Sequence, residues 1–452
     1  MSATATTQKP SKLPVFLRRG NIAGFLTVVL AGQLVYSSFE AFKGSLIVPL
    51  TETLGITNEQ YGFLWTWIGI SMFLYIPAGW INNRFPIRKI LIAWAAWRLV
   101  TFLALYTLPL SFSWMVAIAA SWGVWDAIGW PAVVNGVSYM ARDADTKGRG
   151  MAMGLLESIR RGAEFVMNGI IIILIAIFPA STSTIMVGFG IGYALLLIPL
   201  IFALLRYVPS NAIAHDDNVS DNIAALKGLW AVLVKPRVWL AGLAGLAVYW
   251  CYVNLFWSSA PYLKLVYDMS TAQSSAFGIF NTAAVGILAG VVAGFLADYV
   301  FKSSTTMMAV ALATITIAAG IVYLLPNDRA YLWPAMILLI VMAFGVFLGK
   351  SVILAPIAEL HLPEGINGSA MAVGSFLVYA SIFWANPMNG RLLDQYKGQE
   401  YLAYQQVFLI TLVVAAIGAA CAIALMFLNK RYAAADEKAF ADSKSSEGND
   451  TV

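Results

Sequence analysis

Twelve apolar runs of about twenty residues or more dominate this chain, and that is the length an α-helix needs to cross the roughly 30 Å hydrocarbon core of a bilayer. They lie at about 21–47, 60–82, 88–109, 112–139, 149–178, 182–207, 238–264, 272–298, 304–325, 331–357, 367–390 and 402–429. Short breaks between them carry turn chemistry or charge, as in NNRFPIRK, PLSFS, RDADTKGR, PNDR and DQYKGQE. In hydrocarbon a segment must satisfy its own backbone donors and acceptors, so runs of this length form helices. Composition points the same way. The chain is 60% hydrophobic and 11% charged, against about 45–50% and 25% for soluble proteins. The expected fold class is all-α integral membrane, with twelve transmembrane helices.

The polar stretch PSNAIAHDDNVSDNIAALKG separates spans six and seven. It divides the chain into an N-terminal six-helix bundle (21–207), a linker (208–237) and a C-terminal six-helix bundle (238–429). Residues 1–20 are polar and basic without a cleavage-site pattern and read as a cytoplasmic tail; residues 430–452 are charged and Ser/Asp-rich and read as disordered. Of the 28 Lys and Arg, 19 fall on the face of the N-terminus, four (Lys264, Arg329, Arg391, Lys397) on the other, and five inside spans. By the positive-inside rule both termini are cytoplasmic, in a cell inner (plasma) membrane.

The net charge of +5 is spread between apolar segments without a basic-aromatic patch, so nucleic acid is not an expected partner. Cys251 and Cys421 both lie in apolar runs and read as buried thiols; with only two histidines, neither a metal centre nor a cofactor is expected. A GxxxxGK[ST] phosphate loop is absent, which argues against direct ATP coupling in this chain. The expected partners are the lipid bilayer and a small-molecule substrate, with the chain acting as a monomer.

Three passages relate the two halves. PAGWINNRFPIRK after span two corresponds to VAGFLADYVFKS after span eight, Gly79 aligning with Gly294; GRGMAMG (148–154) opens span five as GSAMAVG (368–374) opens span eleven. On these motifs the chain resembles the major facilitator superfamily, whose halves are parallel repeats with a substrate site near mid-membrane between them. The resemblance implies the major facilitator fold of two pseudo-symmetric bundles. It also implies a cytoplasmic gating latch formed here by Gly79, Arg84, Arg88, Lys89, Asp298 and Arg149, with Asn83 and Pro86 standing where the family's motif has Asp and Gly. The alternative for these residues is plain positive-inside anchoring. AIGWPAVVNG, APYLKLVYDMSTAQSSAFGIF and LAPIAELHLPEGINGSAMAVG are more closely similar to the organophosphate–phosphate antiporters and related sugar-phosphate permeases. That family holds phosphate with one Arg in helix one and one in helix seven; the aligned residues here are Ala41 and Tyr252, so both arginines are absent.

Charge at bilayer depth marks the candidate site. In GLLESIRRGAEFVM, Glu157 and Glu164 lie about 12 Å and about 22 Å along span five from Arg149. At 100° per residue Glu157, Arg160, Arg161 and Glu164 share an arc of about 100°. Facing lipid, each would cost a few kcal/mol, so this face turns inward. Glu–Arg pairs at i, i+3 and i, i+4 that only lock the bundle are the alternative. Span one adds Glu40 and Lys43, span four Asp126 and span ten Lys350, each with a structural ion pair as its alternative. Arg98 reads as structural, because helix three is peripheral in this fold. Glu359 and His361 are placed near the cytoplasmic interface, against the latch or solvent. Of the aromatic and amide residues Tyr36, Trp67, Tyr249, Asn254, Asn281, Tyr379 and Trp384, together with Trp65, Tyr252 and Asn386, the last three are the chosen pocket contacts.

Lys43, Arg160, Arg161 and Lys350 thus stand against Glu40, Asp126, Glu157 and Glu164, a balanced set suited to a small organic anion or zwitterion. The cations are assigned to substrate binding and the acids to proton coupling, since burial favours the protonated acid. The expected function is secondary active transport by alternating access, coupled to protons. A transporter-like receptor that binds a solute and signals, or an exchanger of sugar or sugar-phosphate-like solutes, is the alternative; an enzyme is not expected.

Overall fold

The structure, a computed structural model, describes residues 21–140, 146–210, 232–301, 303–360 and 364–447. Every regular element among them is helical, as the hydrocarbon constraint demands. In the first half, span one is α1 (Ile22–Leu34) and α2 (Ile47–Leu54), and span two is α3 (Asn58–Ile68) and α4 (Ser71–Arg84). Single helices make spans three to five: α5 (Ile87–Thr107), α6 (Phe112–Met140) and α7 (Thr146–Ile177). Span six is α8 (Thr182–Leu195) with α9 (Leu197–Tyr207).

The second half repeats this plan. Span seven is α10 (Pro236–Ser258) and α11 (Ala260–Tyr267); span eight is α12 (Thr271–Ile279) and α13 (Val285–Phe295), joined by a π-helical turn. α14 (Ser304–Leu324) is span nine, and α15 (Leu332–Ser351) with the short α16 (Ala355–Ala358) is span ten. α17 (Glu364–Tyr379) and α18 (Ile382–Gln395) form span eleven, and α19 (Glu400–Glu447) contains span twelve. Six helical stretches among the described residues are long and apolar enough to cross a membrane on their own. The other spans are interrupted in mid-course or diluted by polar residues.

The start of span two and the start of span eight use the same device. Thr57 accepts from the Gln60 amide at 3.1 Å while Gln60 accepts from the Thr57 amide; Ser270 and Gln273 repeat this reciprocal capping box. Two equivalent helix starts thus carry equivalent chemistry.

The halves meet where α3 packs on α18 and α12 packs on α7. Backbones come so close at the first crossing that a Cβ on Gly62 would run into the Asn386 carbonyl, and one on Gly390 into the Asn58 carbonyl. At the end opposite the chain termini, called here the far end, the Asp394 carboxylate of α18 sits on the N-terminus of α3. It accepts from the Asn58 amide (3.2 Å), the Asn58 side chain (2.9 Å) and the Glu59 amide (2.7 Å). The free amides and dipole of a helix start favour an anion there. Arg391 pairs with Glu59 at 2.8 Å and Lys264 with Glu52 at 3.5 Å, both across the halves.

One boundary needs correction. The polar stretch from residue 430 reads as disordered in sequence, yet α19 continues to Glu447. Its AAADEKAF composition favours helix, and extending an existing helix avoids the cost of nucleation. Arg237 at the start of α10 lies over the Tyr432 ring at 5.1 Å and holds the extension's first turn. The tail 1–20 and most of the linker (211–231) lie outside the described residues.

Replacing Asp394 with Ala removes three hydrogen bonds across the far end, where a single bond to a charged group contributes about 1.5–3 kcal/mol. The population open at that end is expected to rise roughly tenfold or more. Spin labels on Ser111→Cys and Gln399→Cys, one in each half, would report it as a longer-distance component; an unchanged distance distribution would show that the carboxylate does not hold this end shut.

Candidate site: a charged cavity between the halves

Span one breaks in the middle of the bundle. Its helix ends at Leu34, a short 3-10 turn covers Glu40–Phe42, and Gly44 takes φ +83°, where any side chain would strike the Phe256 ring. Non-helical backbone at membrane depth is tolerated only where protein satisfies it. Here the neighbours do so: Arg160 Nε donates to the Gly32 carbonyl (2.8 Å), the Tyr106 hydroxyl to Ser38 (2.5 Å) and the Asn168 side chain to Ala41 (2.8 Å). Spans three and five thus hold span one open at the point where Glu40 and Lys43 emerge.

Arg98 is the principal departure from the sequence reading. It is fully buried, and its Nη2 donates to both Asp126 oxygens at 2.7 and 2.8 Å. Its Nη1 lies 2.5 Å from Glu40 Oε1 but off the hydrogen-bonding direction. Trp94 gives Asp126 a further bond at 3.0 Å, and the Trp122 ring centre lies 4.6 Å from the guanidinium. Helix three is therefore not merely peripheral: one long side chain carries its charge into the interior. Glu40 and Asp126, for which a structural ion pair is the alternative to proton coupling, share this one cation.

Span five behaves as its periodicity indicates. Arg160 lies over Trp130 at 4.5 Å and Arg161 pairs with Glu164 at 3.0 Å. The side chain of Glu157 lies outside the described residues. A cavity of about 250 Å³ is lined by Glu40, Lys43, Trp65, Asp126, Arg160, Arg161 and Glu164, together with Tyr36, Trp130 and others. Seven sequence-chosen residues from four spans converge there.

Two further spaces adjoin it. Lys43 and Trp65 also border a small pocket with Tyr252 and Asn386, whose side chain accepts from Trp257 at 3.0 Å. Arg161 also borders a cavity of about 490 Å³ with Lys350, Ser158, Thr282 and Tyr379. The junction is Tyr252. Lys350 Nζ from the second half lies 4.2 Å from its ring centre, and Lys43 Nζ from the first half 5.9 Å, with the Trp65 ring 5.0 Å from Lys43.

Among the described residues the first cavity is lined by three cations, Lys43, Arg160 and Arg161, and three carboxylates, Glu40, Asp126 and Glu164; Lys350 borders the second cavity, and Arg98 stands behind Glu40 and Asp126.

Other sequence candidates have structural employment. Asn254 is buried in a chain running from Asn389 (2.7 Å) through Asn254 to Thr411 (2.9 Å), which ties spans seven, eleven and twelve. Asn281 donates to Ser259 at 3.0 Å, and Trp384 is exposed and stacks on Trp250. Glu359 is half-buried at the start of span nine. Its carboxylate accepts from the Ser304 amide (2.7 Å) and the Thr305 hydroxyl (3.3 Å), capping span nine. His361 lies outside the described residues, as do the side chains of Arg149 and Asp298 and the surroundings of Gly79. Of the other gating candidates, Arg88 donates to the Leu205 carbonyl at the end of α9 (3.4 Å), within its own half, while Arg84 and Lys89 are exposed. Sequence reasoning missed Asp394, whose partners are over 330 residues away. Arg98 had a usable signal, a lone charge in an apolar span.

A helical membrane protein whose halves enclose a polar cavity, and whose halves each contribute a cation to it, is a solute transporter by class. Residues 28–386 match the Major Facilitator Superfamily, and the chain belongs to that family: it is a transporter, not an enzyme. It is 26% identical over 420 residues to Inner membrane protein YihN of Escherichia coli (strain K12), covering 89% of this chain and 94% of that one. It is 24% identical over 297 residues to Probable anion transporter 2, chloroplastic, of Oryza sativa subsp. japonica, covering 62% and 54% respectively. Among solved structures, the nucleoside transporter NupG superposes with TM-score 0.69 at 13% identity, over 89% of this chain and 99% of that one. A bacterial homologue of the human lysosomal transporter Spinster, in an inward-facing and occupied conformation, gives 0.66 at 14%, over 90% and 97%. At these identities the structural likeness speaks for the fold alone.

Asp126→Ala would leave Arg98 buried beside a single, poorly aligned acid. Breaking a buried pair on one side costs roughly 3–5 kcal/mol, so a clearly lowered melting temperature of the purified protein in detergent is expected. A melting temperature equal to wild type would show that the pair contributes nothing to stability.

Proposed function

We propose that this transporter moves a small organic anion across the bacterial inner membrane by alternating access, acting as a monomer and coupled to protons, with both termini in the cytoplasm. The observation that carries the reading is the convergence of Lys43 and Lys350, one from each half, on the ring of Tyr252. Arg161 and Arg160 line the space beside them. An anion there would touch both halves, so its binding energy is available to bias their relative position. The two lysines at Tyr252, with Arg161 beside Lys350, favour an anionic group on the substrate.

Ala41 and Tyr252 stand where the similar permeases hold phosphate with arginines. Lys43, two residues beyond Ala41, and Lys350 supply positive charge instead, with single ammonium groups in place of a bidentate guanidinium grip. Names of relatives add support: one is an inner membrane protein, another a probable anion transporter. In the orientation that the Lys/Arg distribution favours, the Asp394 clasp closes the periplasmic end and the cavity belongs to a cytoplasm-facing state. Arg84, Arg88, Lys89, Arg149, Gly79 and Asp298 would then act at the opposite, cytoplasmic gate.

Reconstituted protein should take up at least one of pyruvate, succinate, gluconate and glycerol 3-phosphate faster than empty liposomes. For the transported anion, Lys43→Ala and Lys350→Ala should each weaken the apparent affinity roughly tenfold or more, the value of a lost bond to a charged group. Flux that is indifferent to both substitutions would remove the site from this reading.

A further inference from the structure

Glu40 and Asp126 share one guanidinium on unequal terms. Asp126 receives two bonds from Arg98 Nη2 and one from Trp94, all between 2.7 and 3.0 Å. Glu40 has one close ion-pair contact, to Arg98 Nη1, against the three bonds that Asp126 receives. A carboxylate that accepts several bonds is held in its charged form, whereas one buried without them is not. Two acids on one cation leave the buried cluster one negative charge in excess, and the Glu40 side chain, which borders the cavity, is where that charge is least supported.

The opposing charges come from the cavity wall. Lys43 lies three residues further along the broken segment, and Arg160 and Arg161 enter from α7, Arg161 with its partner Glu164. Among the described residues, phenols also surround the segment: Tyr36 on the segment itself, Tyr61 on α3, Tyr106 on α5, Tyr193 on α8 and Tyr252 on α10. With the cavity empty, the wall cations offset the charge of Glu40. An anion seated among them takes up that field.

Resting on the anion-transport reading above, we infer that Glu40 is the group that carries the coupled proton, and that occupancy of the neighbouring cationic site is what draws the proton onto it. One proton adds to one Glu40 carboxylate oxygen as one anion binds, and it leaves to water when the anion leaves. The linkage is reciprocal, so protonated Glu40 also strengthens anion binding. Asp126, which accepts from Arg98 and Trp94, acts as the anchor of Arg98.

Infrared difference spectroscopy of the reconstituted protein between about pH 5 and about pH 9 tests this directly, since exposed carboxylates have already lost their protons over that window. A protonated-carboxyl band is expected in wild type, absent in Glu40→Gln and kept in Asp126→Asn. Its amplitude at fixed pH should grow when a transported anion from the set pyruvate, succinate, gluconate and glycerol 3-phosphate is added. In liposomes, the ratio of uptake driven by a proton gradient to equilibrium exchange of that anion should fall at least tenfold in Glu40→Gln, a change that loss of a merely structural contact would not make. Should Glu40→Gln fail to fold, Glu40→Asp, which keeps the carboxyl, should keep the band with a displaced midpoint. A band unchanged in Glu40→Gln, or unchanged in midpoint in Glu40→Asp, overturns the assignment; a band indifferent to a transported anion overturns the linkage. Absence of transport for all four anions, with a Glu40 band still present, would sink the anion reading while leaving the proton site standing.

Discussion

An ionised side chain at bilayer depth must find a counter-charge or a polar space, because hydrocarbon offers neither. Arg98 meets this demand with Asp126 and Glu40, and much of the first half is arranged around that solution. The cluster joins spans one, three and four. It lies against the break in span one, whose freed carbonyls are satisfied by Arg160, Tyr106 and Asn168. The unwound segment then delivers Lys43 toward the second half, where Lys350 approaches the same ring. Burying a charged trio is expensive, and its retention here fits a cluster that does more than pack.

The two halves share a plan but not a chemistry. Matching capping boxes begin spans two and eight, and both spans are interrupted in mid-course, so each half has a bendable helix at the interface. The cations are distributed unequally, with Lys43, Arg160 and Arg161 in the first half and Lys350 in the second. The halves touch through glycines at backbone contact, one carboxylate on a helix start and two ion pairs at the far end. Contacts of that kind can be made and broken without unfolding either bundle, which is the physical requirement for rocking between two states.

Much of the site was legible because helical periodicity is local. Glu157 to Glu164 had to share a face whatever surrounded them, and the described members Arg160, Arg161 and Glu164 do line the cavity. Lys43, Trp65, Tyr252 and Asn386 were likewise placed by their positions along spans already marked as inward. Arg98 escaped this reasoning because a long side chain carries its charge well away from the backbone position that sequence fixes. Glu359 and Asp394 escaped it because a helix cap made from another span has no local signature. The division into halves and the two tails were read from polarity, which is a weaker guide: Ala-rich polar sequence after residue 430 continued as helix.

Sequence by itself determined that this chain lives in a bilayer, that it folds as a repeated helical unit, and which span carries a charged inner face. These follow from hydropathy, turn residues and the 3.6-residue period, all of which act over a few neighbours. Only the tertiary structure decided that Asp126 and Glu40 share Arg98, that Lys43 and Lys350 approach one ring, and that Asp394 caps a helix of the other half. Those outcomes depend on distances between groups up to hundreds of residues apart, and electrostatic energy is set by such distances and by burial, not by order along the chain.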